Sequence, residues 1–326
     1  MGMTRTAHSQ TDAGVASATP PIVFLEKAYF SLGTPTGKKL LFEGQPSAHF
    51  FFRNGLSNPV WQKRGGWQYA VPLSALFLVR MKDTVSAPVL TPSYRIRPLY
   101  LQLFHLSRSR NKPADFRLFG IGLGATHYSN GQRGCTYLGF FRTAGKEECE
   151  VSDPVLAGQS KANLEDGDFS TTYFSLAVNV RWGRLQAPHS PLARQLTIGG
   201  EFQAHPFNVR PGGINAAQAR EWGQHQWSLS AEWEYRIQAR RWPGVTRLAG
   251  DFTQRFGGQV DSPLNATTLE ASYVLDRVEH LGIFVRQHFG FDYYNIHFQE
   301  RKPFFAIGVL WDPGRLDVLE SDYDGQ

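Results

Sequence analysis

The sequence predicts an all-β protein, a transmembrane antiparallel β-barrel of twelve strands, and three observations predict it. The first is composition. The 326 residues are 13% aromatic and 19% charged, with 32 Gly. A disordered chain needs few aromatics and many charges, and a helical bundle would be rich in Ala, Glu, Lys and Leu. The second is that no run of about 18 uncharged apolar residues exists, so helical spans are disfavoured. The nearest run, residues 67–79, is too short. The third is alternation of polar and apolar residues with period two. Several alternating stretches are long for a soluble strand and right for a tilted membrane span.

Taken along the chain, residues 24–42 supply one strand and residues 49–53 a short one. Residues 67–79, 94–107, 116–129 and 172–182 follow. Residues 196–204 come next, and then 226–237, where Trp227, Leu229, Ala231, Trp233, Tyr235 and Ile237 oppose Gln226, Ser228, Ser230, Glu232, Glu234 and Arg236. In 246–256, Leu248, Phe252 and Phe256 oppose Arg247, Asp251 and Arg255. Residues 269–275 precede 281–293, where Ile283, Val285, Phe289, Phe291 and Tyr293 oppose Arg286, His288 and Asp292. The last strand is 305–311, with Phe305, Ile307, Val309 and Trp311 on its apolar face. Trp67, Trp182, Tyr293 and Trp311 stand near strand ends, as interfacial girdles require.

A soluble sandwich would also alternate, but strand length and the Arg- and Glu-bearing faces favour the barrel. One domain is expected: a polar N-terminal segment 1–23, the barrel 24–312 and an acidic periplasmic tail 313–326. With twelve strands both termini fall on the periplasmic side, and the long connections 131–169 and 207–225 both fall outside.

The net charge of +6 comes from scattered basic residues that form no tract, so nucleic acid is a poor partner. Residues 1–19 are polar and small, without the apolar core of a secretory signal. Either a signal was removed, the start is misplaced or the protein is cytosolic, and location must be read from the strands. Cys135 and Cys149 are the two cysteines. They are too few for the usual zinc patterns, and they either close a short loop in an oxidising compartment or stay as two unpaired thiols.

Residues 116–129 carry the chemistry. The odd positions are Phe119, Ile121, Leu123, Ala125, His127 and Ser129, and the even ones include Gly120, Gly122 and Gly124, small enough to leave lumenal space. If the odd face looks at lipid, His127 and Ser129 do too, at the outer end of the strand. Their Cα atoms are then about 7 Å apart on one face. An imidazole so placed can reach the hydroxyl and act as its general base. Polar groups facing lipid are costly to desolvate, and near the interface that cost shrinks.

The segment Ala125-Thr126-His127-Tyr128-Ser129-Asn130-Gly131 resembles the His-x-Ser-Asn-Gly motif of the outer-membrane phospholipase A family. The resemblance covers this motif, the next strand and the strand count. It implies a twelve-stranded barrel that hydrolyses acyl esters of phospholipids at the outer leaflet. By position it implies Ser129 as nucleophile, His127 as base and the Gly131 N–H as an oxyanion donor. It also implies Ca2+ held by loop oxygens, one of them the carbonyl of Gln132, and activity as a homodimer. The family's third member is an Asn on the next strand. Here Thr172 occupies the position that points the same way as His127. Thr172, or a loop residue such as Asn163 or Asp168, takes the role, or activity is impaired. For a barrel assembled through the periplasm, a Cys135–Cys149 disulfide is expected.

Two other functions fit parts of the sequence. Lipid A deacylases share a His-x-Ser-Asn arrangement on an eight-stranded barrel, and strand count tells against them. A non-catalytic porin would line its pore with Arg181, Glu201, Glu232, Glu234, Arg236, Arg255 and Arg286, whereas pairing of those charges across strands would close the interior.

Overall fold

The structure is a computed structural model. It describes residues 25–35, 40–54, 67–82, 92–109, 112–130, 170–185, 192–207, 213–214, 219, 222–239, 242–258, 264–275, 281–293, 301 and 303–312. Thirteen strands are formed: β1 (Ala28–Pro35), β2 (Leu40–Gln45), β3 (Ser47–Asn54), β4 (Trp67–Lys82), β5 (Ser93–Ser109), β6 (Lys112–Ser129) and β7 (Ser170–Leu185). They continue as β8 (Leu192–Ala204), β9 (His225–Gln238), β10 (Pro243–Phe256), β11 (Asn265–Leu275), β12 (Leu281–Gly290) and β13 (Phe304–Trp311).

Each strand from β3 to β13 pairs antiparallel with the next, and β13 returns to β1. β1 then pairs with β2, and β2 with β4, which closes the sheet. β2 and β3 share one barrel position. Pro46 separates them, one step beyond the last β1–β2 pair, where its missing N–H removes no ladder bond. Its carbonyl still accepts from Phe77 N at 3.1 Å. The thirteen segments therefore make a closed antiparallel barrel of twelve strand positions, as the alternation predicts. Residues 24–42 contain β1 and the start of β2, and residues 49–53 lie in β3.

The expected outward faces are the exposed ones. Ile283 is 60%, Leu229 55% and Ile307 55% exposed, and Trp67, Trp182 and Trp311 also point outward. A continuous apolar exterior of this kind suits lipid, because soluble monomers rarely expose apolar patches beyond a few hundred Å². Ser129 and the connections 131–169 and 205–224 belong to one end of the barrel, and residues 28 and 311 to the other.

Two expectations are corrected. β12 ends at Gly290, whose φ of 113° breaks the alternation. Phe291 is buried instead of facing out, and the Tyr293 hydroxyl donates to Glu43 in the lumen, so Tyr293 is no girdle residue. A Cβ at Gly290 would stand 2.2 Å from Asn265 O. Gly290→Ala is therefore expected to cost about 1–3 kcal/mol, read as a lower urea midpoint.

The glycines of β6 do not leave open lumen either. A Cβ at Gly124 would meet Leu99, Ser175 and Arg97 within 3.2 Å, and one at Gly120 would meet Asn179 and Leu103. Side chains of β5 and β7 fold over this stripe and fill it. Leu25, Ala70, Leu99, Leu101 and Leu103 form an apolar cluster inside the barrel on this side.

The lumen is also charged and cross-paired. Arg80 binds Glu43 at 2.5 Å and Asp292 at 2.6 Å, and Arg247 binds Asp312 at 2.7 Å and Glu270 at 2.9 Å. Arg286 reaches Glu270 at 2.8 Å, Arg97 reaches Glu201 at 3.0 Å, and Gln195 donates to Glu234 at 2.6 Å. A cavity of about 500 Å³ remains among Arg181, Glu232, Glu270 and Arg286. Paired charges of this density favour a filled interior over a pore.

Candidate active site

Pairing of β6 with β7 sets His127 opposite Thr172 and Ser129 opposite Ser170. On the other side β5 places Ile96 opposite His127 and Tyr94 opposite Ser129. Even residues of β6 (Thr126, Tyr128) are buried in the lumen, so the odd residues His127 and Ser129 face out, His127 exposed and Ser129 half-buried. Their outward neighbours are apolar: Leu123 is 49%, Phe174 58% and Ile96 49% exposed. A Ser and a His thus sit at one end of a lipid-facing surface, as the sequence predicts.

Among the described residues, the imidazole has one fixed partner. His127 Nδ1 lies 3.3 Å from Thr172 Oγ1. The hydroxyl can accept from Nδ1–H, which leaves Nε2 as the free base. Of the residues named from sequence, the structure brings His127 and Thr172 together and sets Ser129 two residues on. Gly131, Gln132, Cys135, Cys149, Asn163 and Asp168 lie outside the described residues.

Alternation does not reveal what supports the pair from behind. The inner-face residues between and beside the reactive ones, Tyr128 and Tyr173, pack with Ile214, Ala219 and Trp222 from the connection after β8. His205 Nδ1 lies 3.1 Å from Thr171 Oγ1, and its ring packs 5.0 Å from that of Tyr173. Burial, and then the Arg255 charge, push its pKa down to about 3, so it docks as a neutral ring. Arg255 covers Trp222 at 3.4 Å and Phe291 at 3.9 Å. The sole sequence signal for this cap is that aromatics occupy inner positions Tyr128 and Tyr173 where small or polar residues would suffice.

Calcium requires several oxygen ligands around one point. Among the described residues no three His, Cys, Asp or Glu side chains come together in that way. The expected ligand, the Gln132 carbonyl, lies outside the described residues, and the reaction derived for Ser129 and His127 has no step through the ion.

Fold and site define the class: a closed transmembrane β-barrel of the outer-membrane type, with an outward Ser–His–Thr arrangement at the end that carries the long connections. No protein-family model matches the chain, and no curated protein matches it in sequence. Among solved structures it is similar to an active-site mutant of outer membrane phospholipase A from Escherichia coli, at 11% identity and a TM-score of 0.49, covering 93% of this chain and 95% of that one. A second structure of the Escherichia coli protein is similar at 11% identity and a TM-score of 0.48, covering 88% and 97%. The Salmonella typhi outer membrane phospholipase, a dimer with bound calcium, is similar at 11% identity and 0.47, covering 88% and 91%. The barrel assignment rests on the strand register and the apolar exterior.

Proposed function

We propose that this protein hydrolyses acyl esters of phospholipids at the outer leaflet of the outer membrane, with Ser129 as nucleophile and His127 as general base. The observation that carries the reading is the outward His127–Thr172 contact beside Ser129, a polar arrangement on a lipid-facing surface. His127 Nε2 takes the hydroxyl proton as Ser129 Oγ attacks the ester carbonyl. The proton then passes to the departing lysophospholipid oxygen, leaving an acyl-serine. Water, deprotonated by His127, releases the fatty acid and restores Ser129. The Gly131 N–H is assigned to the developing oxyanion.

The same resemblance assigns calcium near the Gln132 carbonyl and a homodimer as the active form, and the oxidising periplasmic route of assembly assigns a disulfide between Cys135 and Cys149. The N-terminal segment 1–23 and the tail 313–326 are assigned to the periplasmic side. Twelve strand positions separate this barrel from the eight-stranded deacylases, and the cross-paired lumen tells against a porin.

Detergent-refolded protein incubated with phospholipid or lipid A, each with calcium or chelator, tests the reading. Fatty acid from phospholipid, lost on chelation, is expected. Release from lipid A alone would reassign the substrate, and release from neither would leave a non-catalytic barrel.

Thr172 is assigned the orienting role. Thr172→Val should lower turnover about tenfold or more, the scale of a positioned general base. Thr172→Asn should retain or raise it, since an amide oxygen can accept from Nδ1–H. An active Thr172→Val enzyme with an impaired Asn163 or Asp168 variant would move the role into the loop.

A further inference from the structure

The membrane-facing surface carries a second polar feature, at the end opposite Ser129. Two adjacent rows run across β6 to β9. In the first, Arg117 of β6 pairs with Trp182 of β7, Trp182 with Leu196 of β8, and Leu196 with Trp233 of β9. In the second, nearer the barrel end, Asp115 pairs with Arg184, Arg184 with Arg194, and Arg194 with Tyr235. Arg117, Arg184 and Arg194 are all exposed, on the same face as Trp182, Trp233 and Tyr235.

Arg184 and Arg194 stand directly opposite each other on neighbouring strands. Like charges in that position repel and destabilise the sheet. Among the described residues, the nearest carboxylate relief is Asp115, whose Oδ1 lies 3.8 Å from Arg184 Nε, both side chains being well exposed. One carboxylate against three guanidinium groups leaves the patch with net positive charge. Guanidinium groups are shaped to hold phosphate oxygens, and two of them facing each other can share one phosphate. The rings beside them are those that settle at headgroup depth, with Trp233 and Tyr235 stacked at 5.8 Å. Just past this aromatic row, a charged group meets lipid phosphates rather than acyl chains.

We propose that Arg184 and Arg194, with Arg117, bind the phosphate of an anionic glycerophospholipid on the outer wall of the barrel, at the end that carries the chain termini. The site is separate from Ser129 and does not depend on hydrolysis. It holds a lipid of the leaflet facing away from the reactive pair, and the headgroup offsets the repulsion between the two arginines. An anionic headgroup fits better than a zwitterionic one, because the latter brings a cation of its own to a positive patch.

Native mass spectrometry of the refolded full-length protein tests this with dialkyl ether lipids, which offer no acyl ester to cleave. At equal concentration, ether phosphatidylglycerol should be retained about tenfold better than ether phosphatidylcholine. Arg184→Gln/Arg194→Gln should lose that preference while keeping heat-modifiable mobility, and Arg184→Lys/Arg194→Lys should keep most of it. If the double Gln variant does not refold, Arg194→Gln alone should show a reduced preference. Equal retention of the two lipids by the unmodified protein would overturn the proposal, as would an undiminished preference in the Gln variants. Displacement of the lipid by millimolar inorganic phosphate would reduce the site to a simple anion site and overturn the lipid assignment.

Discussion

Ser129→Ala should abolish fatty-acid release while leaving the barrel intact. In the proposed reaction the hydroxyl oxygen becomes the acyl carrier, and Ala offers no atom to replace it. A loss of about a thousandfold or more is expected, since removing one member of a nucleophile–base unit costs nearly as much as removing the whole unit. The pair also predicts the form of the double variant. His127→Ala/Ser129→Ala should be no worse than either single change, because the two side chains act as one device. Heat-modifiable gel mobility separates this outcome from misfolding, as neither outward side chain belongs to the lumenal packing. A sulfonyl fluoride should label Ser129 in the unmodified protein, and labelling should fall in His127→Ala. Unchanged turnover in Ser129→Ala would refute the assignment.

The barrel was readable in the sequence because lipid outside and charge inside impose one rule on every strand. Trp227 to Ile237 follows it without exception; in Phe305 to Trp311 the odd residues face outward as well, but the inner ones are the apolar Ala306, Gly308 and Leu310. The rule loses force where both faces are apolar. In β4, Leu76 and Leu78 are buried inside while Phe77 between them faces out, so hydropathy cannot tell the faces apart. It also fails where backbone conformation intervenes. Gly290 looks like any strand glycine, yet its positive φ turns Phe291 and Tyr293 inward. At the site, parity placed Thr172 on the face of His127, and the register confirms that the two are direct partners. The cap formed by His205, Ile214 and Trp222 was not readable, because its contacts with Tyr128 and Tyr173 join elements far apart in the chain and have no periodic signature.

Arg80→Met should be the most destabilising single change in the lumen, by about 3–5 kcal/mol, the cost of removing one partner from a buried ion pair. Arg80 is 4% exposed and bridges two carboxylates that are equally enclosed, Glu43 at 1% and Asp292 at 3%. Its guanidinium also lies 4.9 Å from the centre of the Tyr293 ring. The two ion pairs join β4 to β2 and to the segment after β12, so one side chain ties together elements on both sides of the barrel closure. Loss of the cation leaves the two carboxylates to share the remaining donors. Glu43 retains the Tyr29 hydroxyl at 2.6 Å and the hydroxyl of Tyr293, while Arg286 stands at 4.0 Å. Those donors can hold a neutral acid better than a second unbalanced charge. Adding Glu43→Gln to Arg80→Met should therefore restore part of the lost stability, giving a coupling of about 1–3 kcal/mol in a double-mutant cycle read from urea unfolding. Arg80→Lys should fall between, since one ammonium cannot span both carboxylates as the guanidinium does. An Arg80→Met barrel as stable as the unmodified protein would show that the lumen is wet enough to screen these charges.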